Sequence, residues 1–205
     1  MAVTEPNRQQ ERREASTRAL LHAAGELILE GGFSAMTFAA IGERSGYSRS
    51  MVTARFGSKD GLVEELMSQL VGSWSHSAVE QVDPESGGLG TILALIDAIR
   101  VQVAKNSQGL RVLYALMFEG LGDEALLRER FRSFHGAQRH DLAERIRMGQ
   151  GDGSVVVGLD PDAEAAFIVT GMRGIGYQWL IDPEGFDATA AFTHFRDLVH
   201  DRLAT

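Results

Sequence analysis

The sequence predicts an all-α protein of about nine helices, a small N-terminal three-helix module followed by a larger helical domain. Three observations carry this expectation. Apolar residues recur at three- and four-residue spacing along most of the 205-residue chain, the period of a helix face. Stretches dense in Gly, Ser, Asp and Pro punctuate that pattern at intervals suited to helices of ordinary length. Strand-like alternation runs no further than Ser154–Val157, and the sequence has no internal repeat.

In chain order, residues 1–16 are polar and charged and read as a flexible arm. Leu20, Ala23, Ala24, Leu27 and Ile28 then mark a first helix, which Gly31-Gly32 ends as a C-terminal cap would. Thr37 can cap a second helix with Phe38, Ile41 and Gly42 on its inner face. Ser45-Gly46-Tyr47 makes a break, and Ser48 can cap a third helix that runs to about Arg55. Gly57-Ser58-Lys59-Asp60 opens a long fourth helix to about Ser77. The turn formers of residues 83–88 separate it from helical patterns over about Leu89–Ala104, Leu110–Leu121 and Asp123–Met148. Residues 150–154 read as a loop. Pro161 suits a first helical position and opens a helix to about Ile181. The last helix, about Asp187–Leu203, places Ala188, Ala191, Phe192, Phe195, Leu198 and Val199 on one stripe.

Composition narrows the function classes. The net charge is −8, yet it is unevenly spread: residues 1–60 hold eight Arg/Lys against seven Asp/Glu, and residues 61–205 hold twelve against twenty-one. Any phosphate-binding surface is therefore expected in the first third. With no cysteine in the chain, disulfides, thiolate metal sites and cysteine nucleophiles are excluded. Met1–Leu20 mixes Arg and Glu without an apolar core, and no apolar run approaches the ~20 residues of a membrane span. A cytoplasmic protein without a membrane partner is expected. The histidines are dispersed, with His135 and His140 missing the i, i+4 spacing of a helical metal pair. Phosphate-loop, nucleophile-elbow and dinucleotide motifs are absent, and Asp152, Asp160 and Asp162 lack the closing Glu of a calcium loop. Neither an enzyme nor a cofactor or metal site is expected.

Two short helices joined by a compact Gly-containing turn describe a helix-turn-helix. The first packs across the DNA backbone, and the second projects its N-terminal residues into the major groove. The string Thr37-Phe38-Ala39-Ala40-Ile41-Gly42-Glu43-Arg44-Ser45-Gly46-Tyr47-Ser48, with Phe56-Gly57-Ser58-Lys59-Asp60-Gly61-Leu62, resembles the DNA-binding signature of the TetR (tetracycline-repressor-like) family. The likeness covers about residues 17–66. It implies a DNA-binding domain over 17–62 and a helical effector-binding and dimerisation domain over 63–205. Arg49, Ser50, Met51 and Thr53 lie in the first two turns of the recognition helix, with Thr37 and Ser48 at the two caps. Arg44, Arg55 and Lys59 are candidate phosphate clamps, Lys59 resembling the family's lysine at the start of helix 4. Thr53, Arg55 and Ser50 stand where the family usually has Tyr, His or Tyr, and Gly.

For the larger domain the resemblance implies an effector cavity, with Tyr114, Met117, Phe118, Phe131, His135 and Met172 as lining candidates. The small residues Ala163, Ala165, Ala166, Gly171, Gly174 and Gly176, with the stripe on the final helix, suggest a homodimer through the last two helices. The expected activity is that of a ligand-responsive transcriptional regulator, by family default a repressor. It would hold a palindromic operator as a dimer and be released by a small-molecule effector. The alternative is a protein-binding helical adaptor with a degenerate helix-turn-helix.

Overall fold

The computed structural model describes residues 6–80, 82–105 and 107–205. Among them lie nine α-helices: α1 (Pro6–Ala35, interrupted by a kink at the non-helical Gly31 and Gly32), α2 (Phe38–Ser45), α3 (Arg49–Phe56), α4 (Lys59–Glu80), α5 (Gly87–Ala104), α6 (Gln108–Glu119), α7 (Ala125–Asp152), α8 (Pro161–Ile181) and α9 (Ala188–Leu203). A single 3₁₀ turn, Pro84–Ser86, precedes α5. The strand-like residues near 155 form only isolated bridges, Val155 with Ala204 and Val157 with Leu159.

The arm expected over residues 1–16 is helical from Pro6 onward, continuous with α1; residues 1–5 lie outside the described residues. Its Gln, Glu, Arg and Ala are good helix formers, so high charge there does not mean absence of structure. α7 likewise runs to Asp152, through most of the expected loop. Its end is fixed by hydrogen bonds. The Asp152 carboxylate accepts the Gly88 N–H at 2.8 Å and the Ser154 N–H at 2.9 Å, while the Ser154 hydroxyl accepts the Leu89 N–H at 3.2 Å. These side chains cap the start of α5 from another helix, satisfying donors that α5 leaves open.

The helices form two compact units, Met1–Gln69 with Arg111–Leu127, and Leu70–Leu110 with Arg128–Thr205. This differs from the expected division at residue 62, because most of α6 joins the first unit. There Val112 packs where a side chain on Gly25 would stand, its Cγ2 3.2 Å from that position. Leu20, Ala24, Ile28, Met36, Ile41, Val52 and Leu62 form the core of this unit, each 2% exposed or less.

In the second unit α9 lies mainly against α5, then against α8. Ala188, Phe192, Phe195, Val199 and Leu203 are buried there. Most of the apolar stripe of α9 is therefore used inside the chain, whereas the sequence suggested a surface for a second copy. Ala165 and Gly176 of α8 are also buried, and Gly171 lies directly beneath the Phe195 ring. α5 has the length and mean hydropathy (1.4) of a membrane span. With eight buried residues, from Gly88 to Val103, it serves as a core helix of this unit.

Candidate nucleic-acid interface

α2 and α3 are set by local chemistry at each end. The Thr37 hydroxyl accepts the Ala40 N–H at 3.1 Å, closing the N-terminus of α2. Gly46 ends α2 in the left-handed conformation, φ 76° and ψ 17°. The Tyr47 N–H then returns to the Gly42 carbonyl at 2.9 Å. Two residues later Ser48 caps α3, accepting the Met51 N–H at 3.2 Å. Ile41 and Val52, both fully buried, pin the two helices to the core. This is a helix-turn-helix.

The placement fixes which residues α3 presents. Ser48, Arg49, Ser50, Thr53 and Ala54 are exposed, and Met51 is half-buried. Ser48 and Ser50 share a hydrogen bond of 2.8 Å between hydroxyls, and Thr53 donates to the Arg49 carbonyl at 3.1 Å. The Arg49 guanidinium is exposed and has no ion pair among the described residues.

The three candidate phosphate clamps are placed differently. Arg44 grips Glu30 of α1 through two bonds, 2.9 and 2.7 Å, with Glu26 at 3.6 Å. That hydrogen-bonded guanidinium holds the Glu30 carboxyl below its ordinary pKa. Arg55 turns back onto α1, donating to the Arg13 carbonyl at 2.8 Å, to Ser16 at 3.0 Å and to Thr17. Lys59 donates to the Phe33 carbonyl at 2.8 Å, its ammonium 3.7 Å above the Phe33 ring. Burial there lowers the Lys59 pKa, opposed by the carboxylates of Glu124 and Glu119.

Sequence reading missed the partners Glu30, Ser16 and Thr17, and it missed Glu119. Its carboxylate accepts the Phe33 N–H at 3.1 Å, a contact across 86 positions of sequence that no local pattern announces. For Arg55 the consequence is measurable. Because it satisfies Ser16, which is 5% exposed, Arg55→Ala is expected to cost about 1–3 kcal/mol in urea denaturation. An unchanged midpoint would show that these bonds do not hold α3 to α1.

The effector candidates divide between the two units. In the first, Tyr114 is buried, Met117 half-buried and Phe118 exposed, with Tyr114 and Phe118 ring centroids 6.5 Å apart. In the second, Phe131 and Met172 are buried. Phe131 meets Phe134 edge-on at 6.1 Å and His135 at 6.2 Å. Burial, with the nearby Arg173 and Arg139, pushes the His135 pKa down to about 4, so its imidazole is neutral at physiological pH. The described clefts lie elsewhere: between α1, α3 and α4 (about 890 Å³), between α5 and α9 (about 450 Å³), and beside the α8–α9 turn (about 520 Å³). None of the six candidates lines them.

Comparison with known proteins agrees with this architecture. The sequence model of the bacterial regulatory proteins of the tetR family matches residues 20–66, and that of the BetI-type transcriptional repressor C-terminal domain matches residues 91–204. None of the curated proteins compared matches the chain. Among solved structures, NalD, the secondary repressor of the MexAB-OprM multidrug efflux pump in Pseudomonas aeruginosa, is 23% identical; the match covers 93% of this chain and 97% of that one with a TM-score of 0.72. The SmeT–triclosan complex is 18% identical, with 93% and 92% covered and a TM-score of 0.72. A TetR transcriptional regulator from Chloroflexus aurantiacus is 17% identical, with 95% and 98% covered and a TM-score of 0.75. At these identities the likeness is one of fold. With its capped helix-turn-helix and both family models matched along most of its length, the chain belongs to the TetR family of bacterial transcriptional regulators.

Proposed function

We propose that the protein is a ligand-released repressor that holds a palindromic operator as a homodimer in the cytoplasm. The observation that carries this reading is α3: a capped helix with a buried Val52 and an exposed row of Ser48, Arg49, Ser50 and Thr53. Such a helix can enter the major groove, where Arg reads guanine and hydroxyls and methyls read other edges. Met51 and Thr37 flank this surface. A two-fold dimer then asks for half-sites about one helical turn apart, or a multiple of it.

Effector binding is proposed at Tyr114, Met117 and Phe118 on α6 of the first unit, or at Phe131, His135 and Met172 of the second. α6 offers a route to the reading head within the first unit. Glu119, its last residue, holds the Phe33 N–H, and the Phe33 carbonyl holds Lys59 at the start of α4. A ligand that prefers a different placement of α6 shifts this chain of contacts, and with it α1 and α3. Only a differential affinity can do so. The SmeT structure contains triclosan and NalD represses a multidrug efflux pump, which fits a small-molecule effector for this chain too.

Selection of bound DNA from a random duplex pool tests the reading. A palindromic consensus is expected, and Arg49→Ala is expected to weaken binding about tenfold and relax the consensus at one position in each half-site. A protein-binding adaptor would enrich no sequence and show no salt-dependent DNA affinity.

A further inference from the structure

The helix-turn-helix is short of cations for a duplex that carries one negative charge per ~1.7 Å. Arg44 is taken by Glu30, Arg55 by α1 and Lys59 by the Phe33 carbonyl. Thr53 and Ala54, exposed toward the end of α3, are uncharged. Among the cations between Met36 and Leu62, that leaves Arg49 as the one whose side chain has no hydrogen bond or ion pair among the described residues, in a chain of net charge −8.

The N-terminal turns of α1 hold what is missing. Arg8, Arg12, Arg13 and Arg18 are all exposed, and none has an ion pair among the described residues. The intervening acids are two, Glu11 and Glu14, and Glu14 accepts a hydrogen bond from Gln10 at 3.1 Å. Arg13 and Arg18 face the cleft toward α4, where Glu14 and Glu65 offset them. Arg8 and Arg12 do not line that cleft. Spaced by four, they stand side by side on one helix stripe.

This segment is fastened to the recognition helix. Arg55, in the last turn of α3, holds the Arg13 carbonyl, Ser16 and Thr17. From Arg13 to Arg8 a helix advances roughly 7 Å. That separation, with two long side chains added, is comparable to the ~12 Å width of the major groove whose backbones flank a recognition helix.

We propose that the N-terminal turns of α1 form a second DNA-contact surface, in which Arg8 and Arg12 bind phosphates flanking the groove that α3 reads. The proposal rests on the reading that α3 enters the major groove. It gives the helical extension a task that a solvated arm would not perform, and it adds phosphate ligands where the side chains of Arg44, Arg55 and Lys59 are already hydrogen-bonded within the chain.

The test uses the full-length protein, a mixed-sequence duplex, and fluorescence anisotropy between about 50 and 200 mM salt. Two double variants are compared, Arg8→Ala with Arg12→Ala, and Arg8→Lys with Arg12→Lys. Both replacements are good helix formers, so far-UV circular dichroism should not change. In the alanine variant the slope of log K against log salt is expected to shallow by about 0.9 per lost phosphate contact, about 1.8 for each protomer. The lysine variant is expected to keep the wild-type slope, since an ammonium still neutralises a phosphate. A wild-type slope in the alanine variant would overturn the proposal, as would an equal loss in both variants. Absence of salt-dependent binding in the wild type would instead sink the α3 reading itself.

Discussion

Gly32→Ala is expected to remove on the order of 3 kcal/mol of stability and, with it, most DNA binding at physiological temperature. Gly32 has φ 75° and ψ −175°, a region open essentially to glycine alone. A methyl group there meets a second obstacle, because it would fall onto the Glu119 carboxylate. Moving that carboxylate away forfeits its bond to the Phe33 N–H. The Phe33 carbonyl is the acceptor for Lys59, so the displacement reaches the start of α4. Gly46→Ala supplies the contrast. Gly46 is left-handed too, but nothing lies within 4 Å of its added methyl, so the cost there should be about 1 kcal/mol. Urea denaturation of both variants, with Gly32→Ala combined with Glu119→Ala, separates the two causes. The combination should recover the part due to collision and leave the backbone strain. Equal midpoints for Gly32→Ala and Gly46→Ala would refute this account.

The reading head was legible because its determinants are local. Thr37 and Ser48 each cap a helix through a contact three residues away, and Gly46 supplies the one left-handed residue the turn needs. Pro161 opens α8 where its fixed φ predicts. What stayed hidden depends on residues distant in sequence. Arg55 meets its partners 38 to 42 positions back in the chain, and Lys59 reaches 26 positions back to Phe33. A cation's spacing along the chain does not say whether a carboxylate or a carbonyl will claim it first. The same limit applies to α9, whose stripe is equally well suited to α5 or to another protomer until the packing is seen. The effector candidates share this weakness, since aromatic and Met side chains line cavities and fill cores by the same chemistry.

Replacing Phe167 and Ile181 together by aspartate is expected to convert the protein to monomers and lower operator affinity by a factor on the order of 100 or more. Of the two helices proposed for the dimer, α9 has most of its stripe buried within the chain, so this prediction is placed on the exposed face of α8. Ala163, Phe167, Thr170, Gly174, Tyr177 and Ile181 are all exposed, at alternating spacings of four and three, the repeat by which two helices interlock. Phe167 and Ile181 are 61% and 65% exposed, and Leu198 of α9 adds a third apolar side chain at 52%. Large apolar side chains repeated along one stripe are costly in water and gain most from a matching surface. The small Ala163 and Gly174 on the same stripe allow close approach of a second helix. A symmetric pairing on this stripe would bring aspartates of the two protomers together, where like charges repel. The core residues of α8, such as Ile168 and Met172, point elsewhere and are buried, so circular dichroism should remain that of the wild type. Each monomer would still carry an intact α3, yet would bind one half-site without the gain from linkage. Sedimentation equilibrium reads the oligomeric state, and anisotropy on the selected operator reads the affinity. A double variant that stays dimeric would rule out the α8 face as the contact between protomers.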